Sequence, residues 1–255
     1  VTLYDPGEVD RATYNRGDRF VIGIGNWMAW LFPVLMLCIV AQVFLRQAGS
    51  NQAWLDDLQW WLYGLACLIG IAYAVTTNSH VRVDILYDGY EDRKKRRTDL
   101  FALGWLFLPF SLLTWDVTFH YAMASIIARE GSDSPNGLHN LWVLKAVMNL
   151  CFLFLTVAIY ARIVRILSLA KKDTAWARLF WTLPAAVFSL NLVVFYAAWW
   201  VTRLTQPDMN PRSIARNGYL MAEVEYGPYE TKLTVIVALA LTAIAGVALY
   251  TRGRR

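Results

Sequence analysis

Six long apolar blocks, separated by short polar segments, limit what this chain can fold into more than any other feature of its sequence. The blocks cover residues 20–45, 58–77, 100–124, 141–162, 179–202 and 233–250. About 20 apolar residues are enough for a helix to cross the roughly 30 Å hydrocarbon core of a bilayer. Because backbone groups in lipid must bond to one another, such runs form helices. We therefore predict an all-α membrane protein, a bundle of six transmembrane helices.

The amino-acid composition favours the same fold class. Of the 255 residues, 57% are apolar and 17% are charged, against roughly 45–50% and 25% in soluble domains. The net charge of +5 does not indicate nucleic-acid binding, because the cations lie between the apolar blocks, which is the pattern of membrane orientation. We expect membrane lipids as partners, and no nucleic acid.

Five consecutive cations, residues 93–97, stand between the second and third blocks and predict the orientation of the bundle. Lys and Arg are enriched in the cytoplasmic loops of membrane proteins. With the N-terminus inside, 17 of the 24 cations fall on the cytoplasmic face. We predict that both termini are cytoplasmic.

The blocks also suggest a division of the chain. Residues 1–19 form a polar cytoplasmic segment, residues 20–172 hold four spans, and residues 173–255 hold an additional two-span hairpin with a periplasmic loop at 204–231. Pro33 lies inside the first block, and a kink is expected there because proline has no N–H to donate within the helix.

Motifs of soluble enzymes are absent from the sequence. It contains no P-loop, no GxGxxG, no HExxH and no GxSxG, the short motifs that carry phosphate binding, dinucleotide binding, zinc hydrolysis and serine hydrolysis. The three histidines lie in separate segments, which does not favour haem or metal ligation. We predict that the chain is not an enzyme and binds no cofactor.

Asp116 is the unusual residue of the third block, because a carboxylate within a span normally faces protein or water. His120 lies four residues on, on the same helix face. A proton or ion site is one interpretation, and an interhelical ion pair is the favoured one. Lys145 enters the fourth span at the same level and is the predicted partner, with Glu130 as the second candidate.

Several stretches of the sequence resemble the small permease (Q-type) subunit of tripartite ATP-independent periplasmic (TRAP) transporters. They are DLQWW at 57–61, LIGIAY at 68–73, HVRVD at 80–84, and EGSDSPNGL at 130–138 with Lys145 following in the next span. The likeness covers roughly residues 20–170. It implies a four-helix scaffold in the bacterial inner membrane, paired with a large permease subunit that carries the substrate and sodium sites. A periplasmic solute-binding protein delivers organic acids to such a pair.

The resemblance leaves one part of the chain unexplained and one alternative open. The family usually has four spans, so the hairpin of residues 173–255 has no counterpart. A related protein could therefore serve as an accessory subunit of another inner-membrane complex, respiratory or photosynthetic. Under either interpretation, we expect His80, Arg82 and Asp84 to form an architectural node at the cytoplasmic surface, where Arg82 and Asp84 pair with each other or with a partner subunit.

Overall fold

A computed structural model describes residues 5–80, 87–226 and 228–253. In this described part, six helices or continuous helical runs are long and apolar enough to cross a membrane, and the predicted helical membrane fold is confirmed. They cover Arg16–Gln47, Ala53–Thr77, Asp92–Ala128, Leu141–Leu169, Leu183–Thr205 and Leu233–Arg252. The chain folds as two compact units, one up to Ala170 and one from Lys171.

The first helical run is interrupted before Pro33 rather than at it. Helix α1 covers Arg16–Met28 and α2 covers Leu31–Gln47. Proline cannot donate to the carbonyl four residues earlier, and that carbonyl, on Ala29, accepts instead from the N–H of Phe32 at 3.2 Å. The expected kink is therefore a break at residues 29–30.

The third helical run also carries an irregular turn before a proline. It consists of α4 (Asp92–Phe101), a π-helical segment at Ala102–Phe107 and α5 (Leu108–Ala128). Pro109 lies near the start of α5 and has no N–H to donate to the carbonyl four residues earlier, and the widened turn absorbs the mismatch. The five consecutive cations lie on α4, at the beginning of this run.

Helix α6, Leu141–Leu169, is the centre of the first unit. It packs against α5, against α3 (Ala53–Thr77) and against α1, whereas α2 packs along α3. Half of the most apolar stretch of α6 is buried, the largest fraction among the candidate spans of the described chain. Ala158, Ile159 and Ile163 are fully buried. The remaining helices of this unit are therefore arranged around α6.

The second unit contains, in its described residues, four helices and one β-hairpin. The helices are α7 (Ala175–Trp181), α8 (Leu183–Thr205), α9 (Pro211–Asn217) and α10 (Leu233–Arg252), and the strands are β1 (Glu223–Tyr226) and β2 (Tyr229–Lys232). The strands are antiparallel, with Glu223 opposite Lys232. Helices α8 and α10 pack against each other. The short strands are not predicted from the sequence. Along the chain they lie between α8 and α10 and lead directly into α10.

Glycine lets helices approach closely in α1. A Cβ at Gly17 would lie 2.8 Å from the Cβ of Ala161 in α6, and a Cβ at Gly25 would overlap the ring of Tyr73 in α3. Close backbone approach of this kind is typical of packing between transmembrane helices. Gly64 of α3, in contrast, has open space around it in the described part of the chain.

Candidate functional site

Two arginines of α6, Arg162 and Arg165, hold the last turn of α3. We call this end of the first unit the basic end. Arg162 donates to the carbonyl of Val75 and to the side-chain oxygen of Asn78, and Arg165 donates to the carbonyl of Thr76 at 2.6 Å. Both arginines are buried. Cations at a helix C-terminus are favourable because the unpaired carbonyls there carry partial negative charge. The two guanidinium groups therefore fix the end of α3 to α6.

Asp18 completes the basic end from α1. Its side chain is fully buried, and its Oδ2 lies 3.3 Å from Nη1 of Arg165. Asp18 and Asn15 also form a capping box, with each side chain accepting from the backbone N–H of the other at 3.0 Å. The guanidinium of Arg165 lies over the ring of Tyr14, 4.8 Å from its centroid. A buried charge must be paired, and Asp18 therefore joins α1 to α6 through Arg165.

This cluster was not predicted from the sequence. Asp18 falls in the polar segment 1–19, Arg162 is the last residue of the fourth predicted span, and Arg165 follows it. The available signal was local: an Asn three residues before an Asp, at the start of an apolar run, is a capping-box pattern. The burial of Asp18 depends on how α1 packs, and no local pattern encodes that.

Lys145 and Glu130 form an ion pair at the opposite end of the first unit. Lys145 Nζ lies 2.5 Å from Glu130 Oε2, and it lies 4.0 Å from the centroid of the Tyr121 ring. The hydrogen bond from Lys145 lowers the pKa of the Glu130 carboxyl below its usual range. The predicted pairing of Lys145 with Asp116 is therefore wrong, because Lys145 pairs with the carboxylate of Glu130 instead.

Helix rotation explains why Asp116 does not meet Lys145. The face of α5 that packs on α6 contains Ser111, whose hydroxyl lies 2.9 Å from that of Thr156. It also contains Trp115 and Thr118, which accept hydrogen bonds from Asn149. At 100° per residue, Asp116 lies about 140° around α5 from the middle of that face. It is half-buried and makes no hydrogen bond or ion pair within residues 5–80, 87–226 and 228–253.

The loop between α5 and α6 is fastened to α3. The N–H of Leu138 donates to Oδ2 of Asp57 at 2.9 Å, and the N–H of Ser132 donates to the carbonyl of Leu138 at 3.1 Å. Gly137 packs so closely against Ser132 and Asp57 that a Cβ would overlap both. The loop motif at 130–138 therefore contacts the start of the motif at 57–61.

A polar cluster lies between α2 and α3 at this same end. Gln42 donates to Asp56 and accepts from Gln59, and Arg46 Nη2 lies 3.4 Å from Asp56 Oδ2. These side chains line a cavity of about 390 Å³. Two glutamines inside apolar blocks are the sequence signal for this cluster, because an amide in a span normally bonds to a neighbouring helix.

The comparison with known families decides what these helices belong to. The family model described as the DctQ component of tripartite ATP-independent periplasmic transporters matches residues 35–169. The chain belongs to this family. The resemblance seen in the sequence is confirmed: the chain is a member of the TRAP small permease family. A search of curated proteins found no match, and a search of solved structures found none.

The family match lies within the first unit. It begins within α2 and ends at the last residue of α6, so it includes Arg162, Arg165, Glu130, Lys145 and the polar cluster between α2 and α3. Asp18 precedes the match, and the whole second unit follows it. Most of the charged contacts described above therefore hold together the helices that define the family.

The predicted node of His80, Arg82 and Asp84 lies largely outside the described residues. Arg82 and Asp84 belong to the segment 81–86, so the pairing predicted for them stays a prediction. His80 borders a cavity of about 340 Å³ with Val75 and Phe107. Among the described His, Cys, Asp and Glu side chains, no group of three or more could hold a metal ion.

Proposed function

We propose that this chain is the scaffold subunit of a TRAP transporter and that it holds a large permease subunit in the membrane. In this proposal the large subunit carries the substrate and sodium sites, and a periplasmic solute-binding protein delivers organic acids to the pair. Membership of the DctQ family supports the role. The side-chain contacts of α1, α3 and α6 support it as well, because Asp18 and Arg165 fix these three helices to one another.

The position of Asp116 on the outward face of α5 is the observation that carries the proposal. Asp116 lies there between exposed apolar side chains, including Leu113 and Val117. It is 12 residues from the end of α5, which places it about 18 Å along the helix from that end and near mid-membrane. An aspartate at the centre of a lipid-facing helix costs about 2.5–3.5 kcal/mol on insertion scales. A partner helix that offers a cation or a hydrogen-bond donor removes this cost.

The large permease subunit is the proposed occupant of this face. A helix of that subunit, with a basic or donor side chain at mid-depth, pairs with Asp116 in the assembled transporter. The apolar neighbours of Asp116 on α5 supply the surrounding contact area. We also propose the orientation with both termini in the cytoplasm of a bacterial inner membrane, supported by the 17 of 24 cations that fall on that side.

Co-expression with the large permease subunit of the same transporter tests the proposal. We expect the wild-type chain to co-purify with it, and Asp116→Leu to retain about tenfold less, corresponding to about 1.4 kcal/mol of lost interaction. Asp133→Leu is the matched control, because it removes the same charge from an exposed loop position. Solute uptake should fall with assembly in Asp116→Leu, and the sodium dependence of the remaining uptake should be unchanged.

Each outcome bears on a different part of the proposal. Equal recovery of the large subunit with Asp116→Leu and with wild type would contradict the docking face but leave the scaffold role intact. Failure of the wild-type chain to retain the large subunit would contradict the scaffold role itself. Co-purification of pigment- or haem-bearing subunits would favour the accessory role in a respiratory or photosynthetic complex.

A further inference from the structure

An apolar groove lies in the second unit, in the part of the chain that the family model does not match. One wall is formed by α7 and the start of α8, with Trp176, Leu179 and Phe180, and the other by the second half of α10, with Gly246 and Tyr250. Its volume is about 530 Å³. The groove lies entirely within residues 171–255.

The chemistry of the walls favours a hydrocarbon chain. Thr242 lines the groove from the middle of α10. Its hydroxyl donates a hydrogen bond to the carbonyl of Ala238 at 2.7 Å. Its donor is therefore used within the helix. Gly246 packs close to Trp176, since a Cβ there would stand only 3.2 Å from the ring. Of the other lining residues, Trp176 and Tyr250 each carry one polar group, and the rest are apolar.

The length of the groove fits one lipid chain. Its α10 wall runs from Leu239 to Tyr250, which is about 16 Å along the helix axis. One leaflet of the roughly 30 Å hydrocarbon core is about 15 Å thick. The groove therefore extends over the depth that a single acyl chain occupies.

Positive charge collects at one end of the groove. Lys171 and Lys172 precede α7, and Arg252 follows Tyr250 in the last turn of α10. The start of α7 and the end of α10 are close together, because the ring centroids of Trp176 and Tyr250 are 5.6 Å apart.

These cations are not neutralised by the neighbouring acid. Asp173 accepts two hydrogen bonds from the Arg178 guanidinium, at 2.6 and 2.7 Å. Within the described ranges, Lys171, Lys172 and Arg252 form no ion pair. Cations placed at the headgroup level attract anionic lipids. The groove thus combines an apolar channel with an unneutralised cationic end.

We propose that this groove binds one acyl chain of an anionic phospholipid, whose phosphate lies among Lys171, Lys172 and Arg252. The lipid fills the space between α7 and α10. This inference does not depend on the transporter role, because it concerns the unit outside the family match.

Native mass spectrometry of the purified full chain tests the proposal, after exchange into bilayer discs of phosphatidylglycerol or phosphatidylcholine. We expect one phosphatidylglycerol to be retained per chain, and phosphatidylcholine to be lost. The triple variant Lys171→Gln, Lys172→Gln, Arg252→Gln should retain phosphatidylglycerol at least about tenfold less well, because each cation adds to the attraction. The double variant Arg212→Gln, Arg216→Gln removes cations from α9 instead and should behave as wild type.

A groove-filling pair of variants tests the apolar part. Ala243→Phe places a ring in the groove and should release the lipid, while Ile244→Phe, at the exposed neighbouring position, should not. Equal retention of phosphatidylglycerol and phosphatidylcholine would overturn the proposal. So would full retention by the triple variant, or a co-purified pigment or quinone that Ala243→Phe displaces. If Ala243→Phe does not fold, the charge variant alone decides.

Discussion

Nη1 of Arg165 lies 3.3 Å from Oδ2 of Asp18, and both side chains are buried where α6 meets α1. Arg165 uses another nitrogen to bind the last turn of α3. One buried ion pair thus connects three helices, and the connection can be broken from either residue.

Replacing Asp18 should destabilise the chain strongly. Asp18→Ala leaves the Arg165 guanidinium buried without its counter-charge, a change that costs about 3–5 kcal/mol in buried ion pairs. The free energy of unfolding in detergent micelles, followed by tryptophan fluorescence, measures it. Glu8→Ala is the control: it breaks the Glu8–Arg11 pair, which is exposed, and should have no measurable effect. If both variants lost the same free energy of unfolding, burial would not determine the cost of breaking an ion pair in this chain.

The ion pair between Glu130 and Lys145 should make stability depend on pH. Because the pKa of Glu130 is lowered in the folded chain, its stabilisation is fully present above the ordinary glutamate value of about 4.3. It is lost as the pH falls through the lowered value, where the carboxylate takes up a proton. The melting temperature of Glu130→Gln should be below that of wild type at pH 7, and the two should converge in acid. Asp133→Asn, at an exposed position of the same loop, should follow the wild-type curve.

Two glycines of α1 provide a matched test of helix packing. In Gly25→Ala the new methyl group overlaps the ring of Tyr73, whose hydroxyl donates to Asp5 at 2.8 Å and holds the ring in place. Overpacking of this kind costs about 1–3 kcal/mol. Gly23 has no atom within 4 Å of the corresponding position. Gly23→Ala should be neutral or stabilising, because alanine is the better helix former. Thermal unfolding compares the two; similar melting temperatures would argue against close packing of α1 on α3.

The number and extent of the spans could be predicted from the sequence, as could the family. The predicted fourth span, 141–162, lies within α6, Leu141–Leu169, and the predicted sixth span agrees closely with α10. Each apolar block must satisfy its own backbone hydrogen bonds in lipid, so its length and polarity decide its state without reference to the other blocks. The HVRVD and EGSDSPNGL motifs indicated the family by the same local means.

The partners of the charged side chains could not be predicted in this way. Lys145 was expected to pair with Asp116 and pairs with Glu130, and the buried role of Asp18 was not foreseen. Which side chains meet depends on how far each helix is rotated about its axis, and every residue changes that angle by 100°. Local composition was therefore sufficient for the six apolar helices, and short motifs were sufficient for the family. The pairing of charges emerged only in the folded bundle, because the packing of all the helices together sets the rotation of each one.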